Sequence, residues 1–481
     1  MTLPLSYQPR IKLALVILTA GSLAACAAIS PGVSTVQPLQ AEQLGLQAGD
    51  IAWPSEHWWD SYNDPQLKTL VTQALAGSPR LDAAQARLVM AQAASKGARA
   101  VQLPQLNAAY TMTRERFSEN YIYPPPYAGS MQTDNALNLN LSLDLDLWGK
   151  KRALFAAATS QQLAAQADLA MARSVLTSAV VQSYFSLQNA LAQESVTSQI
   201  VKQLEDVLDI TQQRVAAGLD TEVEINQARS ALASAKVQLS QARTNSELLH
   251  NQLATLQGLS PKQLAPIHQI EMSPLVTAVP DQLAMNLLGR RADIVAAKYR
   301  VLAGSQQISA AKADFYPNIN LSAFVGFSSL GVATLLQSTS LVFGAGPAIS
   351  LPIFHGGALN AQLQGKRAER DLAIADYNQT LLNAVREVSD ATTSLRGLQQ
   401  QSDQQAISLQ AIRTAYDIAV QRYKAGLGNF VQVLLAQNEV QKQSMLATDI
   451  AARAYQLDAQ LATALGGGYQ ATPVAENNTT H

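Results

Sequence analysis

The chain has 481 residues, of which 14% are charged, and a formal net charge of −1. With no basic excess to neutralise phosphates, charge-driven nucleic-acid binding is excluded. Aromatic residues make up only 6%, a composition suited to long helices packed through small side chains and not to an aromatic-rich core.

The amino terminus reads as an address. Arg10 and Lys12 precede an apolar run, Leu13 to Leu23, that is too short to span a bilayer. The run ends in "LAAC", and Cys26 is the only cysteine, which excludes an intramolecular disulfide framework. Residues 1–25 are expected to be a signal peptide. The tetrapeptide resembles a bacterial lipobox, which would place covalent lipid on the Cys26 sulfur; the alternative is ordinary cleavage among small residues, with Cys26 incidental. No other apolar run reaches the roughly 18 residues of a membrane helix, so entry into a membrane would be by lipid or by β-barrel.

Residues 26–64 form an N-terminal segment, and from residue 65 the chain is written twice. Leu81, Ala84, Arg87 and Pro104 answer Ile294, Ala297, Arg300 and Pro317 at a constant offset of 213. "RVAAGLDTEVEINQA" (Arg214 to Ala228) answers "RYKAGLGNFVQVLLA" (Arg422 to Ala436) at an offset of 208, with six of fifteen positions identical. Such agreement implies an internal duplication: repeat 1 over 65–263, a proline-bearing linker over 264–280, repeat 2 over 281–466, and a flexible tail over 467–481. Each repeat reads helix, strand pair, very long helix, tip, helix. The strand pairs fall near 105–147 and 318–352, the tips near 214–224 and 422–432.

"LNLNLSLDLDL" (Leu137 to Leu147) alternates leucine with Asn, Ser or Asp, so a period of two places every leucine on one face. Its length suits a strand tilted across a bilayer, which needs roughly 9–11 residues. Weaker alternation marks Leu106 to Met112, Ile319 to Phe327 and Leu341 to Leu351, the last disfavoured by Pro347, which has no N–H for a ladder. The pattern fits a membrane barrel; a soluble sheet with one face on a core is the other arrangement it permits. Four strands cannot close a barrel, and open edges are not tolerated in lipid, so several chains would share one. Asp144 and Asp146, on the polar face, are expected in the barrel lumen.

Residues 357–425 contain no proline and repeat every seven: positions 381, 388, 395, 402, 409, 416 and 423 read Leu, Val, Leu, Ser, Leu, Tyr and Tyr. A sustained heptad belongs to supercoiled helices, and a helix of this length runs about 100 Å at ~1.5 Å per residue. Lys150 to Ala217 is its counterpart in the first copy. Gly218 and Gly426 follow where a left-handed residue ends a helix. Thr221 and Asn429 then cap the next helices, with Glu224 and Gln432 reaching back. Arg214 and Arg422 stand in the last helical turns, for docking, for inter-helix hydrogen bonds or for capping free carbonyls. The first tip is acidic, with Asp220, Glu222 and Glu224, and the second is neutral, a difference by which a partner could tell them apart.

Three stretches carry a resemblance: "WWDSYNDPQLKTLVTQAL" (Trp58 to Leu75), "RRADIVAAKYRVLAGSQQISAAKADFYPNINL" (Arg290 to Leu321) and "GPAISLPIFHGG" (Gly346 to Gly357). With both Arg-x-x-x-Gly stretches, they resemble the TolC-like outer-membrane efflux factor family, in particular its lipoprotein branch. The resemblance covers almost the whole chain after the signal peptide. Ala292 stands where the family often has proline, which should alter only a helix start.

The resemblance implies a mainly α fold with a membrane β-barrel. Three copies would form a homotrimer in which duplicated coiled-coil helices make an α-barrel and four strands per chain contribute to a shared 12-stranded β-barrel. It implies a passive conduit of a tripartite efflux or export system, lipid-anchored in the bacterial outer membrane and extending into the periplasm. Its partners would be a periplasmic membrane-fusion adaptor and an inner-membrane pump of the resistance-nodulation-division class. Ala27, in place of Asp, agrees with sorting to the outer membrane. Arg214, Gly218, Leu219, Arg422, Gly426 and Leu427 are then adaptor-docking tips, and Val431, Gln432 and Leu435 the pore constriction. The family often has aspartates at the positions of Gln432 and Leu435. A hydrophobic or amide-lined constriction, less cation-binding than an aspartate ring, is therefore expected.

Catalytic signatures are missing: there is no His-Glu-x-x-His, Cys-x-x-Cys, Gly-x-Ser-x-Gly or phosphate-binding glycine loop. The five histidines are scattered without metal-ligand spacing. No enzymatic activity, no metal and no cofactor beyond lipid on Cys26 is expected. The alternatives are a type I secretion outer-membrane channel and, from a different class, a structural coiled-coil periplasmic lipoprotein or adaptor. An adaptor would carry one hairpin and not two; a structural coiled coil would lack the alternating leucine strand.

Overall fold

The computed structural model describes residues 36–44, 53–272, 275 and 287–470. The expected signal peptide and the lipid site at Cys26 lie outside them. Among the described residues, seven helices of eight or more residues and four strands follow one another as α1 (Pro65–Gly77), α2 (Pro79–Ala100), β1 (Gln105–Arg116), β2 (Met131–Asp144), α3 (Lys150–Ala216), α4 (Glu222–Leu256), α5 (Ala292–Ala313), β3 (Asn318–Ser329), β4 (Leu341–Ser350), α6 (Ala358–Lys424) and α7 (Phe430–Ala464). Three helices of 22, 67 and 35 residues recur in the same order in both copies, as α2, α3, α4 and α5, α6, α7. Ala292 is the first residue of α5, so the absence of proline there leaves the helix start in place.

The strands make one antiparallel sheet in the order β1-β2-β3-β4, with β2 and β3 joining the repeats. Register puts Leu106, Leu141, Ala323 and Ala345 in one row, and Tyr110, Leu137, Phe327 and Leu341 in another. One face is therefore apolar across all four strands, while Asn107, Asn140 and their row-mates occupy the other. Pro347 does lie within β4, opposite Leu321. It is tolerated because β4 is an edge strand, where a missing N–H can face away from the ladder.

Strand β2 differs from the expected 137–147. It begins at Met131, because β1 extends to Arg116 and supplies partners there, and it ends at Asp144. Leu145 makes one further bond to the Ile319 carbonyl at 3.1 Å, and Asp146 then takes a positive φ of 45° as the chain turns into α3.

The chain divides into two compact units that cut across the repeats. Of the described residues, the first gathers those in 88–164 and 297–377 and holds the sheet; the second gathers those in 39–87, 165–296 and 378–470 and holds the tips. In the second unit, Trp58, Trp59, Leu67, Val180, Tyr184, Phe185, Leu253 and Tyr455 form a buried core. Tyr62 donates to Asp458 at 2.7 Å and Tyr184 donates to Asp64, whose other oxygen caps α1 by accepting from the N–H groups of Gln66 and Leu67. Gln66 and Gln188 each donate to the His268 carbonyl, at 3.1 and 3.0 Å, and so hold the linker backbone.

The heptad positions of α6 behave as a seam. Leu381 and Val388 are fully buried, Leu395, Tyr416 and Tyr423 nearly so, and Ser402 and Leu409 are half-buried. Each large apolar side chain so buried contributes about 1.5–3 kcal/mol.

Candidate functional site: the paired helix tips

Both long helices end in the same hydrogen-bonded device. Gly218 N–H donates to the Val215 carbonyl at 2.9 Å and Leu219 N–H to the Arg214 carbonyl at 2.9 Å. Gly426 and Leu427 repeat this on Tyr423 and Arg422, at 3.0 and 2.8 Å. This is a Schellman ending, and it needs a left-handed residue; Gly218 and Gly426 have φ of 73° and 76°. Thr221 then accepts the Val223 N–H while Glu224 accepts the Thr221 N–H, closing a capping box on α4. At α7 the Asn429 side chain accepts the Gln432 N–H at 3.0 Å.

A charged tie joins the two tips. Arg214 donates from Nε and Nη2 to the two Asp220 oxygens, at 2.8 and 3.1 Å, and from Nη1 to the Tyr423 carbonyl at 3.0 Å. Its guanidinium carbon lies 4.6 Å from the Tyr423 ring centroid. The Tyr423 hydroxyl returns to Asp220 at 2.5 Å. The hydrogen bonds from Arg214, assisted by that from Tyr423, hold the Asp220 carboxyl below the usual carboxylate range. Burial first, and the Asp220 acceptor second, push the Tyr423 phenol up. Beneath the tie, Tyr423 lies against Phe430 in a buried cluster that also holds Val207, Val433 and Val440.

The tie bears on two expectations. Arg214 is turned inward, its side chain only 12% exposed, and makes the inter-helix hydrogen bond that was one of its expected roles. The acidic character of the first tip is reduced, not removed: Asp220 is neutralised by Arg214, Glu224 closes the capping box but keeps its charge, and Glu222 is exposed. Sequence reasoning missed Tyr423 as a functional residue. The available signal was a tyrosine at the last seam position of α6, where a hydroxyl inside a heptad core needs a polar partner.

Beside these charges the tips present two apolar side chains outward. In a Schellman ending the residue after the glycine usually packs back on its helix, yet Leu219 is 64% exposed and Leu427 71%. Arg422 donates to the Leu427 carbonyl at 3.4 Å and remains exposed. Val431, Gln432 and Leu435 are all exposed on α7. Val431 and Leu435, one turn apart, flank a groove between α4 and α7 with Val223, Asn226 and Ser230 on its far wall.

At the sheet Asp144 lies on the polar face of β2 as expected, and the placement of Asp146 is revised. Asp146 is not on a strand at all: it caps the start of α3, accepting from the Lys151 and Arg152 N–H groups at 2.8 and 3.0 Å and from Arg152 Nε at 3.3 Å. Asp144, the last residue of β2, accepts the Asp146 N–H at 2.9 Å and pairs with Lys151 at 3.4 Å. Each carboxylate is paired locally with a basic side chain, Asp144 with Lys151 and Asp146 with Arg152.

Residues 70–259 and 283–467 each match the outer membrane efflux protein family. The chain belongs to the outer membrane efflux protein family. It is similar to the multidrug resistance outer membrane protein MdtP of Escherichia coli K12, 33% identical over 472 residues that cover 94% of this chain and 96% of that one. It is 35% identical to the fusaric acid resistance protein FusA of Burkholderia cepacia over 72% of this chain and 67% of that one. Among solved structures, the outer membrane protein VceC of Vibrio cholerae superposes with a TM-score of 0.82 at 34% identity, covering 87% of this chain and all of that one. As a member of the efflux family the chain is an outer-membrane efflux protein, and its duplicated long helices with a four-stranded sheet are the fold of these channels.

Proposed function

We propose that three copies of the chain assemble into one passive conduit of a tripartite efflux system. The observation that carries this is the sheet. It has one continuous apolar face and two open edges, β1 and β4, and an open edge in lipid leaves backbone groups unbonded at several kcal/mol each. Joining β1 of one copy to β4 of the next removes every edge, and three copies give twelve strands. The apolar face then meets lipid and the polar face lines a lumen.

Cys26 carries lipid in this reading and holds the assembly in the outer membrane. The tips are the periplasmic end, where the exposed Leu219 and Leu427 offer an apolar surface to a membrane-fusion adaptor. Gly218 and Gly426 shape the turns that present them, and Arg422 stands beside them. An inner-membrane pump, of the resistance-nodulation-division class, supplies cargo through that adaptor. Val431, Gln432 and Leu435 form the neutral constriction. The Arg214–Asp220–Tyr423 tie, which links the ends of α3 and α6, is the latch that holds the tips together. The test is mass in detergent: a trimer that falls to monomers only on heating in dodecyl sulfate supports the assembly, and a monomer in the soluble periplasmic fraction refutes it.

A further inference from the structure

One side chain breaks the pattern of the polar sheet face. Register sets it out in rows: Gln105, Ser142, Ser322 and Gly346; then Asn107, Asn140, Phe324 and Gly344; then Ala109, Asn138, Gly326 and Val342. Every position in these rows is small or an amide except Val342 and Phe324, and Phe324 is the one aromatic. It is 44% exposed, a large apolar surface left to water on a wall that otherwise has none of that size.

The backbone opposite explains how the ring lies. A Cβ added to Gly344 would stand 2.8 Å from Phe324 Cε1 and 3.0 Å from Cζ, so the ring lies across β4 over this glycine. Gly326 in the next row cannot accept a Cβ either, because the Leu137 carbonyl would be 2.2 Å away. The result is an aromatic face laid against a smooth wall, with Gly344 beneath it and Asn140 beside it in the row.

We infer that Phe324 is a stacking station for planar aromatic cargo within the barrel lumen. The inference rests on the proposed trimeric channel, in which one such ring per chain gives three around the lumen. A flat ring on an amide and glycine wall offers a π-face to any planar aromatic solute and little to an aliphatic one. An aromatic cation gains further from the ring quadrupole. The station slows passage of such solutes without narrowing the pore, because the ring hugs the wall.

The experiment is single-channel recording in planar bilayers, in the Asp220→Ala background that releases the tips. Ethidium is added on the barrel side, with tetrabutylammonium as a non-aromatic cation of like charge. Blocking events by ethidium are expected to shorten roughly two- to tenfold in Phe324→Ala and to recover in Phe324→Trp. Gly344→Ala, which pushes the ring off the wall, should change ethidium dwell times and lower the unblocked conductance. Tetrabutylammonium block should be the same with Phe324 or Ala at the site. Equal ethidium dwell times in Phe324→Ala and its parent overturn the inference, as does an equal loss for both cations, which would mark a general change of the wall. If Phe324 served only to cover Gly344, Phe324→Ala would lower the heat resistance of the trimer and leave dwell times unchanged. No unit conductance from any variant would instead defeat the channel reading itself.

Discussion

Replacing Asp220 by alanine is the sharpest perturbation of the tips. Asp220 accepts three hydrogen bonds, two from Arg214 and one from Tyr423, and its side chain is only 12% exposed. Removing one partner of a buried pair costs about 3–5 kcal/mol. Arg214 keeps the Tyr423 carbonyl and its position over the Tyr423 ring, and the loop end can relax toward water. The loss is then about 2–4 kcal/mol, or roughly 30- to 900-fold in the balance between tied and released tips. Tyr423→Phe removes a single hydroxyl bond, about 1–2 kcal/mol, and should act in the same direction by roughly five- to thirtyfold. The assay is the fraction of time that single channels in planar bilayers spend in their larger conductance state. Asp220→Ala should raise that fraction more than Tyr423→Phe. Adding Arg214→Ala to Asp220→Ala should change it less than additively, since both act on one tie. An unchanged open fraction in Asp220→Ala, with the trimer intact, would refute the latch.

Acid should release the same latch only at low pH. Asp220 has a depressed pKa in the folded tip, so its contribution is complete above the unfolded value near ~3.9 and is lost as pH falls through the lower folded value. Open fraction should therefore be flat from pH 7.5 to about 5 and rise only below about 4; a rise between pH 7 and 5 would contradict this. On the sheet, Leu139→Arg puts charge on the apolar face near the middle of β2 and should cost about 2–4 kcal/mol per chain near the bilayer midplane, against little for Asn140→Arg on the other face. The yield of heat-modifiable trimer in outer-membrane extracts compares the two. Gly426→Ala forces alanine into a left-handed backbone and should destabilise that tip by about 1–2 kcal/mol, read as earlier exchange of the Leu427 amide hydrogen. The same change at Gly365, which lies inside α6 with open space around it, should be neutral or stabilising.

Periodicity made most of the fold legible. The heptad of α6 and its echo in α3 located both helices to within a residue at each end, because a proline-free run between two glycines leaves little freedom in where a helix stops. The alternation from Leu137 to Leu147 identified β2 and its apolar face but misplaced both ends. Residues 131–136 lack the leucines yet pair because β1 is long enough to meet them. Leu145 and Leu147 keep the alternation after the strand has ended, because the capping need of α3 claims Asp146. The tie was less legible for a different reason. Arg214 and Asp220 are close in sequence, but Tyr423 is two hundred residues away, and only the pairing of the two tips brings it there. Counting acidic residues along a tip overstates its acidity when one carboxylate is ion-paired to a neighbouring arginine.

The central claim is that strands from different copies close one barrel, and cross-linking at the sheet edges tests it most directly. With Cys26 kept, since the lipid-bearing sulfur of the proposed anchor is a thioether and does not react, Ala108→Cys on β1 is combined in turn with Phe343→Cys, Ala345→Cys or Pro347→Cys on β4, and a short bis-maleimide is added to membranes. Within one chain β1 and β4 are three strand spacings apart, about 14 Å at roughly 4.8 Å each, beyond a short linker. Between neighbours in a closed barrel they are adjacent. Covalent dimers and trimers from at least one pair, and none from Ala108→Cys alone, are the predicted result. Chains that remain monomeric with every pair, although both cysteines react with a single-headed maleimide, would contradict the shared barrel.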